Sequence, residues 1–465
     1  MPKCRLALAA VAVAWGCHDA PTEPRLNHNL AAHTTSAVAE SDPVVVLDVI
    51  DLGVLPGGRT SEARRVNDAG VMVGTSERVV DPEGFFSVSR AFVWQNGVMS
   101  DASADGVLHN RESFGYGINS AGVVVGQKFV HDGSEPFAIA WQANQEVFSM
   151  PATLRESDAR DINDAGVIVG SAFSTASTRR ATRWHNGTQV NLGVLPNGLD
   201  SRAFAVNNAG HVVGISVAVI GQRLVEQAFL WRDGSMIQLP PLEPNAPTFA
   251  FDISETGLVV GMSIGGSNDT RGVLWRGGVP HELPPLPGHV RSRALGVNDA
   301  GHAVGYSQPS SGSTRAVLWY EGVPIDLGAL SGLSSSGASG INNRGHVVGW
   351  SGGPAAPNRA TMWVINAAPK INTGGPYEGK KKKPIILNAT RTFDAEHDAL
   401  SFRWDFGDGS APAVGAIVEH EYADHGTYTV TLTVTDGRGL SATSTTTAQI
   451  GPIKKGSWRS PHVPD

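Results

Sequence analysis

Short apolar runs separated by glycine-containing turns fill the chain from residue 44 to about residue 368. The runs repeat in a fixed order, and the third run of each repeat ends on a tryptophan: Trp94, Trp141, Trp184, Trp231, Trp275, Trp319 and Trp363. Successive tryptophans are 43 to 47 residues apart. Repeats of this length, built from short strand-like runs, are typical of a β-propeller with four strands in each blade. The pattern therefore predicts an all-β chain with a seven-bladed β-propeller over residues 44–368.

Two glycines recur at fixed places in these repeats. One ends the turn between the first and second runs, where positive φ is needed: Gly70, Gly122, Gly166, Gly210, Gly257, Gly301 and Gly345. The Asn and Asp residues of these turns suggest calcium as an alternative, but they supply too few carboxylates for it. The other glycine lies inside the second run: Gly74, Gly126, Gly170, Gly214, Gly261, Gly305 and Gly349. This position predicts a bulge or a close approach of the neighbouring backbone.

The last repeat lacks its fourth run, because the chain after Trp363 continues as VINAAPKI. A matching run, VVVLDVIDL, stands at residues 44–52, before the first repeat. We therefore expect this N-terminal segment to pair with the strand that carries Trp363. Such pairing removes the exposed edges at which an open ring would aggregate.

The repeats resemble the HAF family of bacterial extracellular repeats, whose units carry IN-x-x-G-x-VVG, HAF-x-W and DLG-x-L-x-G segments. In five repeats an arginine replaces the histidine of that family: Arg90, Arg180, Arg271, Arg315 and Arg359. Two interpretations stay open. These arginines cover apolar surface with their stems at strand ends, or they form a ring that binds anionic glycans or carboxylates. The resemblance implies a secreted or surface protein. It does not imply a particular activity.

A second module begins at about residue 369. Its segments WDFGDG (404–409) and GTYTVTLTV (426–434) resemble the polycystic-kidney-disease (PKD) domain, an immunoglobulin-like β-sandwich. The alternation in the second segment is also the pattern of a half-buried strand. We therefore expect a PKD domain over residues 369–451 and a C-terminal tail over 452–465.

An acidic loop precedes the first PKD segment and contains Asp394, Glu396 and Asp398. Carboxylates at this spacing are suited to calcium, which related domains sometimes bind. A solvated acidic turn is the other interpretation. His397 stands where the family usually has glycine. No other cofactor is expected.

The N-terminal sequence predicts that the protein is exported from the cytoplasm. Residues 1–17 combine two basic residues with a short apolar stretch, which is typical of a signal peptide. The segment ends at Cys17 in a sequence similar to a lipobox, so Cys17 is the expected site of lipidation. Cleavage after Ala14 is the alternative, and it would release the protein. Residues 18–43 are rich in polar residues and proline, which indicates a flexible tether.

Composition and motifs argue against several classes of function. The net charge of −7 gives no basic surface for nucleic acid, and a membrane is expected only through the lipid anchor. Familiar hydrolase, metalloprotease and nucleotide-binding motifs are absent, and His211, His302 and His346 fall at one position of three different repeats. We expect a monomeric, non-enzymatic binding or adhesion protein, extracellular or anchored to the outer membrane, that contacts polysaccharide or another surface protein. The alternatives are a polysaccharide-active hydrolase or lyase with its site on one propeller face, and a purely structural scaffold.

Overall fold

The computed structural model describes residues 44–80, 86–103, 111–129, 136–149, 156–173, 178–266 and 269–451. All regular elements in these ranges are β-strands, which confirms the all-β prediction. Across the same ranges, we find no helix with the length and apolar character that a membrane span requires. The predicted leader, Cys17, the tether and the C-terminal tail lie outside the described residues.

Seven four-stranded antiparallel sheets follow one another along the described part of residues 44–367. The chain begins with β1 (Val44–Gly53). Sheets 1 to 3 comprise β2 (Ser61–Val66), β3 (Met72–Val79), β4 (Ser87–Gln95), β5 (Val98–Asp101); β6 (Ser113–Ile118), β7 (Val124–Lys128), β8 (Phe137–Gln142), β9 (Gln145–Ser149); and β10 (Ser157–Ile162), β11 (Ile168–Phe173), β12 (Arg179–His185), β13 (Thr188–Asn191). Sheets 4 to 6 comprise β14 (Gly198–Val206), β15 (Val212–Ile220), β16 (Arg223–Arg232), β17 (Ser235–Gln238); β18 (Thr248–Ile253), β19 (Val259–Ile264), β20 (Thr270–Arg276), β21 (Val279–Leu283); and β22 (Arg291–Val297), β23 (Ala303–Gln308), β24 (Arg315–Tyr320), β25 (Val323–Gly328). Sheet 7 comprises β26 (Ser335–Ile341), β27 (His346–Gly353), β28 (Ala356–Ala367) and β1.

The N-terminal strand completes sheet 7. β1 pairs antiparallel with β28, and Val49 lies opposite Trp363. The sheet order is therefore β1-β28-β27-β26, in which β1 takes the place of the missing fourth strand. The predicted pairing between the N-terminal segment and the Trp363 strand is confirmed.

The glycine inside each second strand faces a crowded backbone. A Cβ atom on Gly214 would lie 1.9 Å from the carbonyl oxygen of Arg202, and all seven positions have such an oxygen at 1.8 to 2.0 Å. The facing first strand carries a register shift at the same place, between Ala203 and Ala205 in sheet 4. The sequence predicted a bulge or a close approach, and the structure contains both. The turn glycines also have the predicted positive φ, for example +79° at Gly210.

A serine or threonine hydroxyl joins each sheet to the one before it. Ser113, at the start of sheet 2, accepts a hydrogen bond from the backbone N–H of Ala91 in sheet 1 at 3.0 Å. The equivalent acceptors in the other sheets are Ser157, Ser201, Thr248, Ser292, Ser336 and Ser61. Ser61 accepts from Ala360 at 2.8 Å, so a bond of the same kind leads from sheet 7 back to sheet 1.

Asparagine side chains form a second series of bonds between sheets. Asn163 accepts a hydrogen bond from Val167 N–H within its own turn and donates to the carbonyl oxygen of Asn207 in the next sheet, at 3.0 Å. Equivalent bonds start from Asn67, Asn119, Asn207, Asn298 and Asn342. Sheet 5 has Ser254 at this position, and there Glu255 N–H donates to Asp299 of sheet 6 at 2.8 Å.

The repeated tryptophans pack between neighbouring sheets, as predicted. Trp141 of sheet 2 shares a buried core with Val73 and Ala91 of sheet 1. Trp94 of sheet 1 packs with Val348 and Met362 of sheet 7. Burial of these large apolar side chains stabilises the contact between each pair of sheets.

The C-terminal part folds into two packed sheets. Its strands are β29 (Tyr377–Gly379), β30 (Pro384–Asn388), β31 (Ser401–Asp405), β32 (Ala413–Val414), β33 (Ile417–Glu421), β34 (Gly426–Thr435) and β35 (Ser441–Ile450). The larger sheet has the order β29-β35-β34-β31-β32, and the smaller pairs β30 with β33. Leu387 and Val418 of the smaller sheet share a core with Trp404, Val430 and Leu432 of the larger. The predicted β-sandwich is therefore present.

The acidic loop of the sandwich contacts sheets 6 and 7. Glu396 is buried, and one of its carboxylate oxygens accepts a hydrogen bond from Ala367 N–H at 2.9 Å. Its other oxygen lies 3.6 Å from Nδ1 of His302. Arg438 donates to the carbonyl oxygens of Ile365 and Arg344. Glu396 and Arg438 thus hydrogen-bond to backbone groups across the contact, whereas the Glu396–His302 distance is longer than a hydrogen bond.

Burial disfavours the charged forms of Glu396 and His302. It raises the pKa of Glu396 to about 7 and, together with nearby Lys370, lowers the pKa of His302 to about 4. Glu396 therefore contributes stability that is complete below its unfolded pKa of 4.5 and is lost as the pH rises through about 7. His302 contributes stability that is present above its unfolded pKa of 6.5 and is lost as the pH falls through about 4.

Asn163→Ala is expected to lower the free energy of unfolding by about 1–3 kcal/mol, because it leaves the Val167 N–H without its acceptor and removes the bond to the Asn207 carbonyl of the next sheet. Asn191→Ala is the matched control, since that exposed side chain bonds only to Gly193 N–H two residues on. The control should change stability by less than about 0.5 kcal/mol. Denaturant unfolding of both variants measures the difference. Equal losses would contradict a role for the asparagine series.

Glu396→Gln is expected to flatten the pH dependence of stability. Between pH 5 and pH 8 the wild-type protein should lose about 1–3 kcal/mol more than this variant, because only the wild type must ionise a buried acid. Glu321→Gln, which changes an exposed carboxylate with a lowered pKa, should follow the wild type. Denaturant unfolding at both pH values tests this. A Glu396→Gln profile parallel to the wild type would show that the buried acid does not govern this contact.

Candidate functional site

The five arginines of the HAF-like position lie in third strands and are already bonded to protein. Arg90 is fully buried, donates to the carbonyl oxygen of Arg111 in the loop before sheet 2, and lies 3.4 Å from Asp101. Arg180, Arg271 and Arg315 likewise donate to backbone carbonyl oxygens at the start of the next sheet or just before it. Arg359 instead forms an ion pair with Asp51 of β1 at 3.0 Å. These bonds link strands and sheets, so the geometry favours the structural interpretation; the anion-binding ring stays a prediction.

The structure brings together a different set of three carboxylates from the one that the sequence predicted. Oxygens of Asp394, Asp398 and Asp436 lie within 4.8 Å of one another, whereas Glu396 turns toward His302. Asp436 is 38 residues beyond Asp398, directly after β34, so local spacing gave no sign of it. Arg438 Nε lies 3.1 Å from Asp398 and supplies a positive charge to the group. His397 adopts the positive φ, 64°, that the family's glycine would take.

This group is not the solvated turn that the sequence suggested. Asp394 and Glu396 are only 6% and 3% exposed. One oxygen of Asp394 accepts from the backbone N–H groups of Glu396 and Asp398, while the other is buried without a hydrogen-bond partner among the described residues. Burial raises the pKa of Asp394. The expectation of an exposed acidic turn is therefore wrong, because the loop packs against sheets 6 and 7.

The first strands of the seven sheets form an inner surface. Arg65 of sheet 1 reaches Asp252 of sheet 5 at 3.3 Å and donates to the carbonyl oxygen of Ser339 in sheet 7. Sheets 1 and 5 are not neighbours in the series of inter-sheet bonds, so side chains of these strands meet across the middle. We define the inner surface by the second, fourth and fifth positions counted from the serine or threonine of each first strand. Its larger side chains are Glu62, Arg64, Arg65, Phe114, Tyr116, Asp158, Arg160, Asp161, Arg202, Phe204, Phe249, Phe251, Asp252, Arg293 and Leu295.

The fourth positions differ in chemistry from sheet to sheet. Tyr116 has the guanidinium groups of Arg64 and Arg160 at 5.5 and 4.5 Å from its ring centroid. Phe204 and Phe251 approach each other at 5.9 Å, and Phe251 also stacks with Phe249. Sheets 1 to 3 therefore present cations around a phenol, and sheets 4 and 5 present phenyl rings. All of these side chains keep partial contact with solvent.

A compact charge cluster occupies the fifth positions. Burial raises the pKa of two carboxyls here, Asp161 and Asp252, and the nearby Arg65 guanidinium partly opposes both shifts. Burial has the larger effect, and it raises the pKa of Asp161 to about 7. Each carboxylate also accepts a hydrogen bond from the backbone of the following sheet, at Val206 and Val297. Single-sequence reasoning missed this cluster, although the variation at otherwise equivalent repeat positions was visible.

The histidines of the repeats remain apart. His302 contacts Glu396, while His346 lies 3.2 Å from Asn342 in its own turn. The group Asp394, Asp398 and Asp436 is the metal-suited arrangement found in the described ranges. In the sandwich, His420 bonds to Asp408 at 2.8 Å and stacks on Phe406, which is the structural role expected from its sequence position.

Comparisons with known proteins concern mainly the C-terminal part. Residues 366–450 match the family model described as PKD domain. A microbial collagenase of Vibrio alginolyticus is 36% identical over 90 residues, which cover 19% of this chain and 11% of the collagenase. Collagenase ColQ1 of Bacillus cereus (strain Q1) is 36% identical over 86 residues, or 18% of this chain and 9% of that protein. The chain thus spans about a tenth of the length of these curated relatives.

Two solved structures are similar to different parts of the chain. The PKD1 domain of Vibrio anguillarum Epp is 34% identical, covers 18% of this chain and 95% of its own, and has a TM-score of 0.16. The β-propeller domain of the Trilobed protease from Pyrococcus furiosus is 8% identical, covers 66% of this chain and 94% of its own, and has a TM-score of 0.45.

Proposed function

We propose that this chain is a secreted or surface-anchored binding protein, in which a seven-bladed propeller of HAF-like repeats carries the ligand site and a PKD sandwich follows it. The inner surface is the observation that carries this proposal. Its arginine, tyrosine and phenylalanine side chains differ between sheets whose other positions repeat. Residues that repeat are explained by the bonds between sheets, so a ligand site is expected where the repeats differ. Polysaccharide or another surface protein is the proposed ligand class, and the protein acts as a monomer.

The second candidate is a polysaccharide-active hydrolase or lyase. It is supported by Asp161 and Asp252, two partly buried carboxyls on the inner surface with raised pKa values, since the pKa of about 7 at Asp161 suits a general acid. Arg65 argues against it, because its guanidinium already pairs with Asp252.

Screening the purified protein against polysaccharides and surface proteins, with product release assayed in parallel, separates the candidates. Binding without product formation is the expected result. Release of sugar fragments that stops in Asp161→Asn would favour the enzyme. If nothing binds, the structural scaffold is the interpretation that remains.

The predicted export signal supports a location outside the cytoplasm. If Cys17 is lipidated, the protein should enter the detergent phase of a membrane extract, and Cys17→Ala should leave it in the aqueous phase. The same partition for wild type and variant would favour cleavage after Ala14 instead.

Calcium binding by the sandwich is a further proposal, now centred on Asp394, Asp398 and Asp436. The unpartnered buried oxygen of Asp394 fits a cation, whereas the Arg438 guanidinium near Asp398 reduces the need for one. If calcium binds, adding it after chelation should raise the melting temperature of the wild type and not of Asp394→Asn. If added calcium does not change the wild-type melting temperature, the Arg438 guanidinium rather than calcium balances the charge of these carboxylates.

A further inference from the structure

Five arginines lie on the inner surface, and they fall into two groups. Arg65 pairs with Asp252, and Arg160 pairs with Asp158 at 2.6 Å. Arg64, Arg202 and Arg293 have buried Nε atoms without a hydrogen-bond partner among the described residues. Buried donors are normally satisfied, and a guanidinium group is suited to two-point contact with a carboxylate. The side chains of Arg64 and Arg202 are also 42% and 43% exposed, so their terminal nitrogens are accessible to an anionic ligand.

Internal carboxylates do not satisfy these three arginines. Arg64 and Arg202 form only long ion pairs, at 3.9 Å to an oxygen of Glu62 and at 3.6 Å to an oxygen of Asp200. Both distances exceed that of a hydrogen bond. Arg293 stacks over Tyr306, with 5.4 Å between its guanidinium carbon and the ring centroid, which orients the group without using its N–H donors.

Aromatic faces accompany these cations. Tyr116 lies between two guanidinium groups, and the phenyl rings of Phe204, Phe249 and Phe251 form a continuous apolar patch. The rings keep partial contact with solvent. Flat, partly exposed rings suit the apolar face of a sugar ring, and nearby guanidinium groups suit a carboxylate attached to it.

We propose that the inner surface binds an acidic polysaccharide whose sugar rings carry carboxylate groups. Arg64, Arg202 and Arg293 contact the carboxylates, and the phenyl patch contacts the sugar rings. This inference rests on the proposed binding function and specifies its ligand and its place. It differs from a ring of third-strand arginines, because those side chains are bonded between strands and sheets.

Calorimetric titration of the purified full-length protein with tetragalacturonate tests the proposal, and the methyl ester of the same tetramer is the matched ligand control. The ester keeps the sugar rings and loses the charges, so it should bind at least about tenfold more weakly. Arg64→Gln and Arg202→Gln should each weaken binding of the free acid by about tenfold or more. Arg315→Gln, which removes an arginine of the third-strand set, should leave the affinity unchanged. Melting temperatures check that each variant folds.

Two results would overturn the inference. One is equal affinity for the acid and its ester, a comparison that needs only the wild-type protein and so stands even if a variant fails to fold. The other is wild-type affinity in folded Arg64→Gln and Arg202→Gln. If tetragalacturonate does not bind but a neutral glycan or a surface protein does, this inference fails and the proposed function stands. If nothing in the screen binds, both fail.

Discussion

The hydroxyl at the start of each first strand is the contact on which the arrangement of sheets depends. In all seven sheets it accepts a hydrogen bond from the third strand of the preceding sheet, and Ser61 returns the series to sheet 7. A buried backbone N–H without a partner is costly, so each sheet depends on its neighbour for this bond. The asparagine amides add a parallel series at the other end of the first strands. Both series span sheet 7 and sheet 1, and β1 completes sheet 7 by pairing with β28.

This construction divides the residues of a repeat into two classes. The serine or threonine, the two glycines and the tryptophan recur because every sheet needs the same bond, the same close backbone approach and the same packing. The inner surface needs only side chains that fit together, and there the sequence varies between arginine, aspartate, tyrosine and phenylalanine. The side-chain differences between repeats are therefore concentrated on the inner surface. The sandwich adds a contact in which Glu396 accepts a hydrogen bond from Ala367 N–H and Arg438 donates to two backbone carbonyl oxygens.

Features that depend on position within one repeat were predictable from the sequence. The strand-completing role of residues 44–52, the crowded glycines and the tryptophan packing all follow from comparing repeats with one another. Partners in a different repeat or module were not predictable. The acceptor of the Asn163 amide lies 44 residues away, Asp436 joins Asp394 from a distant strand, and Glu396 turns from the predicted metal group toward His302. Arg65 meets Asp252 only because the sheets bring the first strands together, and no local pattern encodes that contact.

The central claim is that ligand recognition belongs to the inner surface, where the repeats differ. A crystal structure of the protein with bound tetragalacturonate tests it most directly. The account predicts sugar density beside Tyr116 and Phe251, with carboxylates within hydrogen-bond distance of Arg64 or Arg202. Density confined to the sandwich or to the third-strand arginines would contradict it.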